Sequence, residues 1–281
     1  MDEIYWHKGL KRITTQSSTL ISSSRYLNDA RLREWISTEA LRRNGRDYPF
    51  LYGLPTMIRA LDESRDIDRI DALFAAERKI NPALDRWLDE RFVSRYTKAD
   101  LAANPEGSIG RRLFDYMDAN GFELELDPRL QADPDWKPTT DFEYFNLRSG
   151  QTHDFDHILA EVGFDFMSEL YPAFFRIGNL FRHLGEELAG ELGVLQMFII
   201  WPWVMRTILH YPGAWEAMWD GMMKGYAAGQ ESAPVFLVRY DDILHLTPAE
   251  ARERLGIVYR GGADTTRESA LWAEGKATHK V

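Results

Sequence analysis

The stretch from Thr152 to Gly163, T-H-D-F-D-H-I-L-A-E-V-G, limits the fold more than any other part of the chain. Two of the seven histidines, His153 and His157, stand four residues apart, with Asp154 beside the first. On a helix that advances about 100° per residue, these three side chains fall within roughly 100° of one another. A single face carrying two imidazoles and a carboxylate is an arrangement that presents several ligands to one metal ion. On a straight helix Glu169 would return on nearly the opposite face, so it joins the group only if the chain turns. Gly163 is placed to end the first helix as its C-cap, and Asp165 to cap a second helix whose first turns carry Glu169 back. The prediction is a central metal-binding helix pair.

The same residues also fit a plainer account, in which His153 and His157 are ordinary helix residues and Asp154 is a solvated charge, because short motifs recur by chance. The chain has no cysteine, so disulfides are excluded and any metal must be held by nitrogen and oxygen. Two histidines and two carboxylates neutralise a divalent ion. Zinc tolerates that set, as do iron and manganese. Arg148 lies close enough along the chain to reach the rim of such a site and hold an anionic substrate group, although a surface arginine on a loop explains it as well. His183 and His210 have no carboxylate at ligand spacing and are read as core or surface residues. No phosphate-cradling glycine loop or nucleophile elbow is present in the sequence.

Beyond this stretch the chain reads as all-α, a single multi-helix domain over residues 28–258. It is preceded by an irregular Ser/Thr-rich arm at 1–27 and followed by a flexible polar tail at 259–281. Apolar residues recur at helical spacing from Asn28 to Leu41, after Pro55, from Asp66 to Ala76 and from Pro82 onward. Asn44-Gly45 should close the first of these helices and Asn120-Gly121 the one carrying Leu113 and Met117. Breaks are expected at Gly163, Pro172, Gly185 and Pro202, a loop at Asp127 to Asp141, and a short strand or extended piece from Pro234 to Tyr240. The apolar run from Leu192 to Met205 is shorter than the about 20 residues that cross a bilayer and reads as a buried helix or the wall of an apolar tunnel. A net charge of −10 argues against a nucleic-acid partner. The N-terminal residues lack a secretory pattern, which gives a cytoplasmic reading.

These residues resemble the Coq-four family of ubiquinone (coenzyme Q) biosynthesis proteins, whose motif is His-Asp-x-x-His, eleven residues, then Glu. His153, Asp154, His157 and Glu169 occupy all four positions, and Arg148, Thr152 and Gly163 match its flanks. Pro105-Glu106-Gly107-Ser108-Ile109-Gly110-Arg111 is similar to a second segment of the family, and the residues from Val238 to Ile257 to a third, so the resemblance runs from about Leu51 to Ile257. It implies an all-helical protein that binds a divalent metal, zinc foremost with iron, manganese or magnesium as alternatives, through those four residues. It further implies oxidative decarboxylation at C1 of a polyprenyl-substituted aromatic precursor; Arg148 would then orient the anion, and on its apolar composition alone the region near 192–223 would shelter the isoprenoid tail. Other quinone-biosynthesis proteins, a peripheral contact with the inner membrane and a homodimer are the partners that follow. Rival readings are a non-catalytic prenyl-lipid scaffold, a paralogue acting on another aromatic or prenylated substrate, and an HD-type phosphohydrolase. The last would need an upstream histidine that only His7 offers.

Overall fold

Half of the described α-helices begin at a side chain that accepts a hydrogen bond from the first turn, which satisfies one of the unpaired N–H groups there. Asp66, Asn81, Thr97, Ser108, Asp127, Thr140 and Thr247 all do so, and Thr97 and Thr247 form reciprocal capping boxes with Asp100 and Glu250. The computed structural model describes residues 21–41, 50–262 and 264–273. Its helices in chain order are α1 (Arg25–Asn28), α2 (Ala30–Leu41), α3 (Phe50–Ser64), α4 (Ile67–Ile80), α5 (Pro82–Glu90), α6 (Lys98–Ala102) and α7 (Ile109–Asn120). They continue as α8 (Pro128–Ala132), α9 (Asp141–Ala160), α10 (Leu170–His183), α11 (Glu186–His210), α12 (Trp215–Glu231), α13 (Pro248–Leu255) and α14 (Thr266–Ala273). No strand occurs among the described residues, so the all-α expectation holds.

Helix α9 is the axis of the molecule because it is apolar on more than one side. Its first turns place Phe142, Tyr144 and Phe145 in a core shared with Phe74 of α4, Trp87 of α5, Leu180 of α10 and Leu188 of α11. Its last turns place Phe155, Ile158 and Leu159 in a second core with Leu101, Ile109 and Leu113 from α6 and α7, Tyr240, and Ala251 of α13. Phe155 and Tyr240 stack there with ring centroids 4.6 Å apart and both fully buried. Truncating such a ring to alanine costs about 3–5 kcal/mol. The two chain segments that resembled the family away from the motif meet in this second core: the N–H groups of Ile109 and Gly110 donate to the carbonyls of Leu246 and Leu244.

Helices α10 and α12 touch backbone to backbone. A Cβ at Gly225 would lie 2.4 Å from the Tyr171 carbonyl oxygen, one at Gly229 2.1 Å from that of Phe175, and one at Gly178 2.4 Å from that of Tyr226. Three glycines thus set the distance between these helices.

Several expectations are corrected. Helix α3 begins at Phe50, before Pro55 and not after it, and Pro172 and Pro202 lie inside α10 and α11 and break neither. Pro172 is in the first turn of α10, where an N–H has no intrahelical partner to lose. Pro202 is carried by the packing of Ile200, Trp203 and Val204 on α12 and the residues before it. Consequently α11, with 25 residues, is long and apolar enough to cross a membrane, although 44% of its most apolar window is buried in the protein. The segment from Val235 to Asp242 forms two 3-10 turns, not a strand. Part of the stretch expected to be a flexible tail forms α14, with Thr265 and Ser269 buried. The arm at 1–20, Asn44-Gly45 and residues 274–281 lie outside the described residues.

Candidate metal centre

The turn between α9 and α10 makes the site. Helix α9 ends at Ala160, and the left-handed position that follows is taken by Glu161 (φ 51°), not by Gly163. The N–H groups of Glu161 and Val162 bond back to the carbonyls of Ile158 and His157. Gly163 is needed for space: a Cβ there would lie 2.8 Å from the Asp165 carboxylate. Asp165 accepts hydrogen bonds from the N–H groups of Met167 and Ser168, capping the turn that brings Glu169 to the start of α10.

This turn brings three of the expected ligands together. His153 Nε2 lies 3.0 Å from Glu169 Oε2, His157 Nε2 lies 3.3 Å from the same oxygen, and the two Nε2 atoms are 3.3 Å apart. A divalent ion bonded at about 2.0–2.1 Å to tetrahedral ligands holds them about 3.3 Å from one another. The triangle therefore has the dimensions of one face of such a coordination shell. His157 Nδ1 is 2.7 Å from the Gly163 carbonyl. A carbonyl only accepts, so Nδ1 carries a proton; in the neutral ring the Nε2 lone pair then points into the triangle, as in metal-bound histidines with a backbone partner, and in the protonated ring Nε2–H donates to Glu169. The His157 ring is further fixed by stacking on Phe164 at 4.7 Å, and Phe164 in turn stacks on Tyr116 at 3.8 Å.

Asp154 is exposed and is not part of the triangle, though its charge reaches His157. His157 has no exposed side-chain surface, whereas His153 and Glu169 are about one-third exposed, so the group has a closed floor and an open side. Burial alone would push the Glu169 carboxyl up, but hydrogen bonds and charge from both histidines hold it well below the usual carboxylate range. Burial would push His157 down, yet its bond to Glu169 and that residue's charge raise it on balance.

Arg148 does not stand at the rim of this group. It is 1% exposed, and its guanidinium donates to Ser94 Oγ, Gln151 Oε1 and the Val238 carbonyl, tying α9 to the segments on either side of it. The arginine beside the triangle is Arg176 of α10, which the sequence reading missed. It pairs with buried Asp156 and also donates to the Ser149 carbonyl and hydroxyl and to Thr152 Oγ1, all on α9. Its signal was present as the second aspartate of H-D-F-D-H, a carboxylate on the inner side of α9. His183 and His210 bond to the carbonyls of Ser232 and Ala40, in keeping with roles in packing.

The open side faces a cavity of about 900 Å³. His153, Glu169 and Arg176 give one wall, while Ile58 and Leu61 of α3 and Leu195 and Ile199 of α11 give an apolar one. Helix α14 adds Ser269 and Ala270, and the Thr265 and Ser269 hydroxyls both donate to Asp165. Burial pushes the Asp165 carboxyl up, but these and other hydrogen bonds outweigh it and leave the carboxyl below its ordinary value. Outside the cavity, Trp201, Met205, Ile208 and Leu209 form an exposed apolar stripe on α11.

Comparison with known proteins places this architecture. No family model matches the chain, and no curated protein matches it. Among solved structures it shares the fold of a candidate ubiquinone biosynthesis protein from Nostoc punctiforme, with a TM-score of 0.57 and 19% identity over 84% of this chain and 99% of that one.

Proposed function

We propose that this protein acts in ubiquinone biosynthesis as a metal-dependent oxidative decarboxylase of a polyprenyl-substituted aromatic acid. The observation that carries the reading is the His153–His157–Glu169 triangle, with coordination-shell dimensions, opening into a largely apolar cavity. The shared fold of the Nostoc punctiforme protein points the same way. The nitrogen–nitrogen–oxygen donor set suits zinc first, and iron, manganese or magnesium after it, with Asp154 as the fourth side chain of the motif. Bound there, such an ion would supply Lewis-acid stabilisation for oxygen atoms of the substrate.

The rest of the work falls to the chain. The Gly163 carbonyl keeps the His157 proton on Nδ1, and the Asp156–Arg176 pair fixes Glu169 relative to the histidines. The apolar wall of α3 and α11 takes the isoprenoid tail and keeps water from the ring. In the reaction the C1 carboxyl group leaves as carbon dioxide and a hydroxyl whose oxygen comes from water takes its place, a two-electron oxidation in which dioxygen accepts the two electrons and two protons and leaves as hydrogen peroxide. The stripe on α11 supports a cytoplasmic protein that contacts the inner membrane peripherally, where such a lipid resides. The test is turnover of a carboxylated prenyl-phenol by metal-loaded protein alongside metal analysis of His157→Ala. The expected result is that both metal and turnover are lost in the variant. Metal and lipid bound by the wild-type protein without turnover would favour the scaffold reading instead.

A further inference from the structure

Beneath Arg176 a second, smaller space lies against α9. It is bounded by Trp87 of α5, Arg148 and Thr152 of α9, Asn179 of α10, Gln196 of α11 and Phe236, and it holds about 30 Å³. It shares Phe145, Ser149, Arg176 and Gln196 with the large cavity, so the two spaces meet along those residues. At about 10–15 Å³ for each water-sized oxygen, there is room for two.

Its walls are polar in an unusual way. Trp87 Nε1 and Arg148 Nε have no hydrogen-bond partner, although Trp87 is 4% and Arg148 1% exposed, and the Gln196 carbonyl oxygen is unpartnered beside them. Such buried donors normally find an acceptor. The other polar groups here are already engaged. Asn179 bonds the Gly229 and Ala233 carbonyls and the Val235 N–H, Thr152 donates to the Arg148 carbonyl, and Arg176 donates to Asp156, to the Ser149 carbonyl and hydroxyl and to Thr152. Charge adds to the case. The charged residues on these walls are Arg148, Arg176 and Asp156, a net of one positive charge, and Asp156 is spent on Arg176. Arg148 makes no direct ion pair with a described residue; its terminal nitrogens meet Ser94, Gln151 and Val238, and Asp241 is reached only through the Ser94 hydroxyl.

We propose that this pocket is a carboxylate subsite, in which Arg148 Nε and Trp87 Nε1 donate to the two oxygens of an aromatic acid whose ring and tail occupy the large cavity. A carboxylate supplies an acceptor for each of the two unpartnered donors and one negative charge to offset the net positive wall. Ser149, on the shared wall, sits one helical turn before His153, so a ring anchored in this way lies beside the triangle. The subsite deepens the proposed function by assigning the group that recognises the acid, and it rests on that reading only for the identity of the ring and tail.

The subsite is tested apart from the metal by calorimetric binding of benzoate, and of neutral benzyl alcohol, to the metal-free full chain. Benzoate should bind at millimolar concentration and benzyl alcohol should bind more weakly. Trp87→Phe removes the unpartnered N–H together with part of a buried ring packed on Tyr144 at 4.4 Å, so thermal stability should fall somewhat; the deciding readout is that benzoate binding weakens about tenfold or more while benzyl alcohol binding changes little. Arg148→Met should weaken it further. His157→Ala should lose metal and keep benzoate, so a failure of the metal reading leaves this result standing. Equal benzoate affinity in Trp87→Phe and wild type, or no preference for benzoate over benzyl alcohol, would mean that the space holds only water and overturns the assignment.

Discussion

Replacing Arg176 by methionine removes the clamp between α9, which carries His153 and His157, and α10, which begins at Glu169. The Arg176 side chain is 13% exposed and that of Asp156 2%, so the pair is shielded from solvent. Without the guanidinium, Asp156 keeps only the Tyr240 hydroxyl at 3.4 Å, and Ser149 and Thr152 lose a donor each. Removing one partner of a buried pair costs about 3–5 kcal/mol, against about 0–1 kcal/mol for an exposed pair. The partial exposure of the arginine and the volume retained by methionine place Arg176→Met near the lower figure, about 3 kcal/mol. That is a large share of the about 5–15 kcal/mol that separates folded from unfolded states in a typical domain. Urea denaturation reads the loss as a lower midpoint at unchanged slope. Asp156→Leu combined with Arg176→Met leaves no unpaired buried charge and should recover at least half of the stability. Metal affinity should stay low in the double variant, because Glu169 is no longer held to α9 in the same register. A single variant within about 1 kcal/mol of wild type, with metal affinity intact, would refute the clamp.

Two further outcomes follow from the geometry. Gly229→Ala puts a Cβ against the Phe175 carbonyl and should destabilise the protein by more than 1 kcal/mol, whereas Gly190→Ala in α11 meets no atom within 4 Å and should stabilise it by about 0.5–1 kcal/mol, both read from thermal melts. In metal-free protein, raised His157 contributes stability that is fully present below its ordinary value of 6.5 and fades as pH rises through the folded value. Depressed Glu169 contributes stability that is present above its ordinary 4.5 and fades as pH falls. Melting temperature should therefore peak between those two values and move to higher pH when metal is added; a maximum above pH 7 in metal-free protein would contradict the pairing.

The helices and the ligand triangle were legible in the sequence for a physical reason. Histidines four apart share a face of any helix, and the residues between His157 and Glu169 contain the small and acidic residues a tight turn needs. What escaped were facts that depend on a second element. Arg148 and Arg176 are equally plausible from sequence, and only the packing of α10 on α9 decides which one faces the triangle. Pro202 reads as a break until its neighbours prove buried against other helices. Thr265 and Ser269 read as part of a polar tail because their partner, Asp165, lies about a hundred residues earlier in the chain. The Trp87 and Arg148 nitrogens left without partners have no local signature at all.

The glycine contact between α10 and α12 bears on how the proposed prenylated substrate would get in and out. Two helices that meet through main-chain atoms have no layer of side chains that could change rotamer to let them slide or part. The wall bearing Glu169 is thus the anvil of the site. Opening would come from the walls that close the cavity with side chains alone, α3 and the short helix α14. Traffic through the site should therefore be felt in amide exchange of α3 and α14, while α10 and α12 stay protected throughout.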